Sequence, residues 1–352
     1  MKILAISDMY LKTEFCEACF AHHPEYELTV VKFGTDDYND MREKFHHIER
    51  HGPEAVAIPE EAYAEIEDAD VLMVHICPVP AALIARGKKL RAILTNRGGL
   101  ENIAVEEATK RGIPILNNPA HNANGVAELA VGLMVTETRN IARAHLGLVN
   151  GVWREDFLNK SNIWELRGKT VGIVSYGAIA HHLVRMLQPF RVNIKLYDIK
   201  PIPEADKVRY NISEASLEEV FSTCDIVTVH TPLNEHTHHL IGEELLSLLP
   251  EDALFVNTSR GAVVDQAALE RELASGRFRA FLDVYEKEPL PAESRLYDLP
   301  NVILMPHMGG PTVDLRRDIT RSLLIEASEF LKNGAPLPHE ITRAAASMMS
   351  RS

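Results

Sequence analysis

Short apolar runs alternate with helical patterns from the start of the chain: KILAIS, a helix around Lys12 to Ala21, ELTVVKF, then DADVLMVHI, LRAILTN, a helix over Val105 to Arg111, and IPILNN. Strand, helix and strand in repetition bury their apolar faces as a mostly parallel sheet with helices on both sides. The pattern fills roughly the first 117 residues. From Val126 to Leu146, VAELAVGLMVTETRNIARAHL keeps apolar residues three and four apart, which predicts one long amphipathic helix. The alternation then restarts with KTVGIVS, NIKLYDI, CDIVTVHTP, DALFVNTS, RAFLDVYE and NVILMPH, a second parallel sheet. A helix from about Val313 to Lys332 is expected to return to the first domain. The expected fold class is α/β, with two doubly wound parallel-sheet domains. Residues 1–117 with 311–352 form one, and 118–310 form the other, inserted through crossovers near Asn118–Pro119 and Gly309–Gly310.

Charge narrows the partners. The formal net charge of -13 is spread over all 352 residues without a basic run, which argues against nucleic acid and anionic membrane and for a small-molecule ligand. No segment is long and apolar enough to span a bilayer, and MKILAISDMY lacks the apolar core and cleavage site of a secretion signal. Four cysteines are too few for a disulfide scaffold in a chain of this length, so a reduced, cytoplasmic protein is expected. The final RAAASMMSRS is expected to be a frayed end.

The stretch VGIVSYGAIA, Val171 to Ala180, stands where a dinucleotide-binding unit would carry G-x-G-x-x-G between strand and helix. Gly177 holds the position where backbone must approach a pyrophosphate, and Ala180 is an accepted variant of the third glycine. Ser175 is the departure, since the first position calls for a tight turn and serine lacks easy access to positive φ. The next strand, NIKLYDI, ends in Asp198, about twenty residues on, where an acid accepts hydrogen bonds from the adenosine ribose. A carboxylate there repels a ribose phosphate, so NAD is expected over NADP, a preference that Lys200 weakens slightly.

Six ordered blocks carry a resemblance. NRGGLENIAVEEATKRGIPILNNPAHNANGVAELAVGLM, LRGKTVGIVSYGAIA, CDIVTVHTPLNEHTHHLIG, LFVNTSRGAVVDQAAL, AFLDVYEKEPL and NVILMPHMGG together resemble the D-isomer-specific 2-hydroxyacid dehydrogenases, 3-phosphoglycerate dehydrogenases among them, from about Arg91 to Leu331. The resemblance implies a flavodoxin-like substrate domain, an inserted Rossmann domain binding NAD, a homodimer through that cofactor domain, and a small 2-hydroxy or 2-oxo acid as substrate. It also implies Arg260, Glu288 and His307 as the catalytic set. Interconverting such acids needs a hydride carrier, a group that trades the hydroxyl proton and a cation for the carboxylate. His307 suits the proton transfer because its unperturbed pKa lies near neutrality; Glu288 would orient it and Arg260 would grip the carboxylate. Around the cofactor the resemblance implies Ser175, Tyr176, Gly177, Ala178 and Ile179 at the phosphates, His230, Thr231 and Pro232 at a ribose, and Thr258, Ser259 and Arg260 along the nicotinamide. Asp283 would face the carboxamide, and Gly309 and Gly310 would allow close approach and a hinge beside His307. In the first domain it implies substrate contacts from His75, Ile76, Arg97, Gly98, Gly99 and Asn102, with the backbone amides of the Arg97–Gly99 loop holding the carboxylate.

One block departs from the family. Many relatives carry an Arg-Ser type pair after the strand that here reads VLMVH, and this chain continues His75-Ile76-Cys77-Pro78. Arg97 is expected to replace the missing cation, which points to a polar acid, acidic or sugar-derived, rather than 3-phosphoglycerate. Cys16 and Cys19 form a C-x-x-C, but inside the first helix rather than at its N-terminus, and with His23 they lack a fourth zinc ligand. Histidines 46, 47, 51, 181, 182, 236, 238 and 239 lack a metal spacing, and no metal is expected. The competing reading is an NAD(H)-sensing binding protein of the corepressor type, since C-terminal-binding proteins resemble the same family and keep the Arg/Glu/His set.

Overall fold

In the computed structural model, which describes residues 1–117, 122–159, 163–310 and 312, the chain divides into two compact units, Met1–His121 with Thr312–Ser352, and Asn122–Pro311. The expected crossover at Asn118–Pro119, the helix expected from Val313 to Lys332 and the RAAASMMSRS end lie outside the described residues.

In the first unit β1 (Lys2–Ser7), β2 (Glu27–Lys32), β3 (Val71–Val74), β4 (Ala92–Thr95) and β5 (Ile115–Leu116) form one sheet in the order β2-β1-β3-β4-β5, and every pair is parallel. This is the flavodoxin-like order, whose switch point lies between β1 and β3. Side chains alternate along each strand. Leu4, Ile6, Leu72, Val74 and Ile93 pack into one buried cluster, and Ile3, Ala5, Val71, Met73 and Leu94 into the other. Both faces are therefore dry, as parallel strands require. α1 (Thr13–Phe20) is followed by α2 (Tyr38–His51), where the Asp37 side chain accepts from the Asp40 amide at 2.8 Å. α3 (Glu60–Glu65), α4 (Ala81–Arg86) and α5 (Val105–Lys110) complete the described helices of this unit.

The second unit opens with α6 (Ala123–Thr138) and α7 (Ile141–Val149). The single long helix expected over Val126 to Leu146 is thus two helices. Asn140 takes the left-handed conformation, φ 55°, which asparagine tolerates better than most residues, and its side chain donates to Asn159 Oδ1 at 2.8 Å. The sheet follows: β6 (Thr170–Val174), α8 (Ala178–Leu187), β7 (Asn193–Tyr197), α9 (Glu204–Tyr210), β8 (Ile212–Glu214), α10 (Leu217–Thr223) and β9 (Ile226–Val229). After these come α11 (Glu243–Leu248), β10 (Leu254–Asn257), α12 (Gln266–Ala274), β11 (Arg279–Leu282) and β12 (Val302–Leu304). Its order, β12-β11-β10-β9-β6-β7-β8, is the Rossmann order with β12 added beyond the sixth strand. The edge strand β8 went unpredicted because only Ile212 of its residues is buried. Among the described residues no helix is long and apolar enough to cross a membrane.

Candidate active site

Every strand of the second sheet ends on the same edge, and open parallel sheets bind ligands at the carboxyl ends of their strands. At the end of β6 the chain turns through Ser175, whose φ is 78°. The serine therefore makes the tight turn at positive φ, at a cost of about 1–2 kcal/mol. Two contacts hold it there: its amide donates to Tyr197 O at 2.7 Å, and its Oγ lies 2.8 Å from Thr231 Oγ1. Ser175→Gly relieves the strain and loses the hydroxyl contact, worth about 0.5–1.5 kcal/mol. We expect NADH affinity to stay within about tenfold, about 1.4 kcal/mol, by titration calorimetry; a larger change would show that the hydroxyl touches the cofactor.

Gly177 then opens α8. A Cβ built on it would meet no atom within 4 Å, and the first turn of α8 has no side-chain cap. Backbone here faces open space in front of a helix N-terminus, the arrangement that accepts a phosphate. Ala178 is exposed and Ile179 half-buried. Tyr176 sends its hydroxyl to Asp206 Oδ2 at 3.1 Å, with His181 Nδ1 at 3.2 Å. Asp198 closes the loop from the end of β7, accepting the Tyr176 amide at 2.7 Å and the Lys200 amide at 2.7 Å, one on each oxygen. Each oxygen keeps a lone pair for a ribose hydroxyl.

Beyond β9, the His230 ring is buried; its Nε2 lies 3.1 Å from Thr228 Oγ1, and its Nδ1 is buried without a partner among the described residues. Burial pushes this imidazole down to about 4, below the usual 6.5, so it stays neutral in the fold. As pH falls from 6.5 to 4 the unfolded chain takes up a proton that the folded chain refuses, so stability drops by about 3 kcal/mol over that window. His230→Asn is expected to flatten that acid limb in thermal denaturation; coincident limbs for the two proteins would overturn the assignment. Thr231 is taken up by Ser175, and Pro232 is exposed. Beyond β10, Ser259 donates twice to Asn257 Oδ1, at 3.0 Å from its amide and 2.9 Å from its hydroxyl, and Thr258 Oγ1 is buried without a partner. Arg260 is exposed and, among the described residues, its guanidinium is held by its own turn, Nη1 donating to Ser259 O at 2.8 Å.

Glu288 and His307 meet directly. His307 Nδ1 lies 2.6 Å from Glu288 Oε2, and Glu288 Oε1 accepts the Tyr285 amide at 3.1 Å. Burial pushes the Glu288 carboxyl up, but the hydrogen bond with His307, the Tyr285 amide and the charges of His307 and Arg260 outweigh it and hold the group below its ordinary value. Glu288 is therefore an acceptor, which makes Nδ1 the donor and leaves Nε2 of His307 for other work. The residue after Arg260 explains how the two turns sit together. A Cβ on Gly261 would lie 1.8 Å from the Tyr285 carbonyl carbon and 2.3 Å from the Glu286 nitrogen, so only glycine lets the turns touch backbone to backbone.

Asp283 has a structural role beside its expected one. Its buried carboxylate accepts the amides of Met308 at 2.7 Å and Gly309 at 2.8 Å, so it anchors the turn that carries His307. Gly309 packs against it, its Cβ position 3.0 Å from Asp283 Oδ2, and Gly310 is half-buried.

In the first unit the structure redistributes the expected substrate contacts. Arg97 is buried, donates to Glu49 Oε1 at 3.0 Å and Glu101 Oε2 at 3.2 Å, and lies over the Phe45 ring at 4.7 Å. With two carboxylates on Nη2 the guanidinium is charge-paired within this unit, while its Nη1 has no partner among the described residues. Ile76 gives its amide to Asp8 Oδ2 at 2.7 Å and its side chain to the core. Asn102 is fully buried and fastens two loops, donating to the carbonyls of His75 and Cys77 at 3.0 Å each. Gly98 and Gly99 are half-buried, and their amides donate to nothing among the described residues. The residue missed in the sequence is Asp8, at the end of β1. Its buried carboxylate accepts the amides of Tyr10 and Leu11 at 2.8 Å each and faces His75 Nδ1 at 3.6 Å. Burial pushes it up, and the charge of His75 with these hydrogen bonds brings it below its ordinary value. An acid directly after the apolar run KILAIS was the available signal. Cys16 is buried, and burial pushes its thiol up to about 12, too high for a redox thiolate.

Residues 131–309 match the model of the D-isomer specific 2-hydroxyacid dehydrogenase NAD-binding domain. The chain belongs to the D-isomer-specific 2-hydroxyacid dehydrogenase family. A protein of Thermotoga maritima named hydroxypyruvate reductase is 36% identical over 258 residues, 72% of this chain and 82% of that one. One of Thermofilum pendens named glyoxylate reductase is 36% identical over 283 residues, 79% and 83% of the two chains. The structure of a D-2-hydroxyisocaproate dehydrogenase shares the fold, with a TM-score of 0.75 at 21% identity, covering 97% of this chain and all of that one. As an NAD-dependent D-2-hydroxyacid dehydrogenase the protein needs a dinucleotide site, and the residues present fit one. The open cradle at Gly177 and the buried, unpartnered polar atoms His230 Nδ1 and Thr258 Oγ1 are what a ligand would fill.

Proposed function

We propose that the protein reduces small, polar 2-oxo acids of the glyoxylate and hydroxypyruvate class, with His307 as proton donor, Glu288 as its orienting partner and Arg260 as the carboxylate grip. The observation that carries this reading is the 2.6 Å contact of His307 Nδ1 with Glu288 Oε2, beside an arginine whose guanidinium, among the described residues, bonds only a carbonyl of its own turn. The Ser175–Ile179 loop would hold the pyrophosphate, Asp198 the adenosine ribose, and His230, Thr231, Thr258 and Ser259 the nicotinamide half. The nicotinamide supplies the hydride to C2 of the acid, or takes it in the reverse direction. Arg260 draws the carboxylate into a two-point contact and polarises the neighbouring carbonyl. His307 Nε2–H gives its proton to the carbonyl oxygen as that oxygen gains charge, and Glu288 orients the ring by accepting from Nδ1. In the first unit, the Gly98 and Gly99 amides are the donors on offer to a carboxylate.

The relatives' names favour this reading over a sensor. Mixing the protein with NADH and a panel of 2-oxo acids should give loss of nicotinamide absorbance with glyoxylate or hydroxypyruvate; tight NADH binding with no turnover on any acid would favour the sensor instead. We also propose a homodimer through the cofactor unit. α7 has no buried residue, and Leu146, Leu148, Val149, Val152 and Trp153 leave an apolar row exposed, Trp153 at 80%, the kind of surface that marks a protein–protein contact. Light scattering should return twice the chain mass of 39.3 kDa; a monomer mass would contradict it.

A further inference from the structure

The turns that carry Arg260 and Glu288 are laced together by a third segment, and we propose that His239 is the positioning residue that keeps them in register. The proposal rests on the catalytic assignment above. His239 reaches both turns at once. Its backbone amide donates to Ala262 O at 2.9 Å, two residues after Arg260, and its Nε2 lies 2.6 Å from Glu286 Oε1, two residues before Glu288. Ile241 extends the first link, donating to Val263 O at 3.1 Å and accepting from the Asp265 amide at 3.0 Å. Gln266 extends the second: its amide donates to Glu286 Oε1 at 3.1 Å, and its side-chain oxygen accepts the Glu286 amide at 3.1 Å. The ring of His238 stacks on that of His239 at 4.0 Å and 24°, which limits the rotation of the imidazole.

The His239–Glu286 pair is solvent-exposed, 40% and 34% by side chain, and exposed pairs contribute little to stability. Its effect is on geometry. Glu288 is fixed by the Tyr285 amide and by His307, and Glu286 bears on it through the turn they share. Proton transfer and carboxylate grip act on one small molecule, and misplacement of either by a fraction of an ångström is costly.

The backbone of His239 allows a clean test. Its φ is 52°, a conformation glycine takes without strain, so His239→Gly keeps the amide link to Ala262 and deletes only the imidazole. We expect kcat for 2-oxo acid reduction to fall about tenfold with KM for NADH unchanged, because Ser175, Gly177 and Asp198 lie outside this lacing. His239→Gln places a donor at about the reach of Nε2 and should restore most of kcat. Adding Glu286→Ala to His239→Gly should cost nothing further, since the pair is already broken. A glycine variant with the parent's kcat, a glutamine variant as slow as the glycine variant, or a rise in KM for NADH would each overturn the role. His307→Asn measured alongside separates the two levels. If it abolishes turnover while His239→Gly leaves kcat intact, only the positioning role fails; if it leaves turnover intact, the catalytic assignment fails and this role with it.

Discussion

His307→Asn is expected to lower kcat for reduction of glyoxylate or hydroxypyruvate by about 10²–10⁴-fold, the range of a positioned acid/base, and to leave NADH titration unchanged. Asparagine can still donate to Glu288 but has no proton to give at the far side of the ring, so the fold of the turn survives the loss of chemistry. Asp283 anchors that turn through the Met308 and Gly309 amides, not through His307 itself, which is why the variant should fold. Glu288→Gln should fall between parent and His307→Asn. It keeps the contact of 2.6 Å as a neutral one, leaving the imidazole oriented but without a carboxylate charge beside the proton it transfers. A His307→Asn variant with near-parental kcat would remove the histidine from the reaction.

Arg260→Ala is expected to reduce kcat/KM for the acid by about 10²-fold, roughly the 3 kcal/mol of a charged hydrogen-bonded contact, again without effect on NADH affinity. Arg260→Lys should recover only part of this, because one ammonium cannot reproduce the two-point geometry of a guanidinium. The arginine has no carboxylate partner of its own among the described residues and leans on the Ser259 carbonyl, so its removal leaves no buried charge unpaired. Parental kcat/KM in the alanine variant would place the carboxylate grip elsewhere, with the Gly98 and Gly99 amides the next residues to vary.

How far the chain could be understood from its sequence depends on what each residue touches. The central strands were plain because both of their faces are buried, so VLMV is a continuous apolar run and IVTV is interrupted only by Thr228. α2 was invisible for the opposite reason: in YNDMREKFHHIERH only Met41 and Ile48 are buried, too few to set a period. The His307–Glu288 pair could be anticipated because their chemistry requires a partner. The partners of Arg97, Ile76, Asn102 and Asp283 were not legible because a side chain's type does not reveal which neighbour claims it. Arg97 was cationic, but Glu49 reaches it from 48 residues away in sequence, a pairing that no local pattern encodes. Ser175 was judged on the conformational preference of serine, and a hydrogen bond to Thr231 overrides that preference.

Asp198 bears on how cofactor choice could be re-engineered. The usual route from NAD to NADP deletes the acid to make room for a phosphate, as though charge repulsion were the only obstacle. Here the same carboxylate terminates the amides of Tyr176 and Lys200, so deleting it strands two donors at the mouth of the nucleotide loop. Those two donors are also what a phosphate would accept from. Switching specificity in this chain is therefore an exchange of one resident anion for an incoming one, and the substitution that succeeds will be the one that leaves both amides aimed where Asp198 now stands.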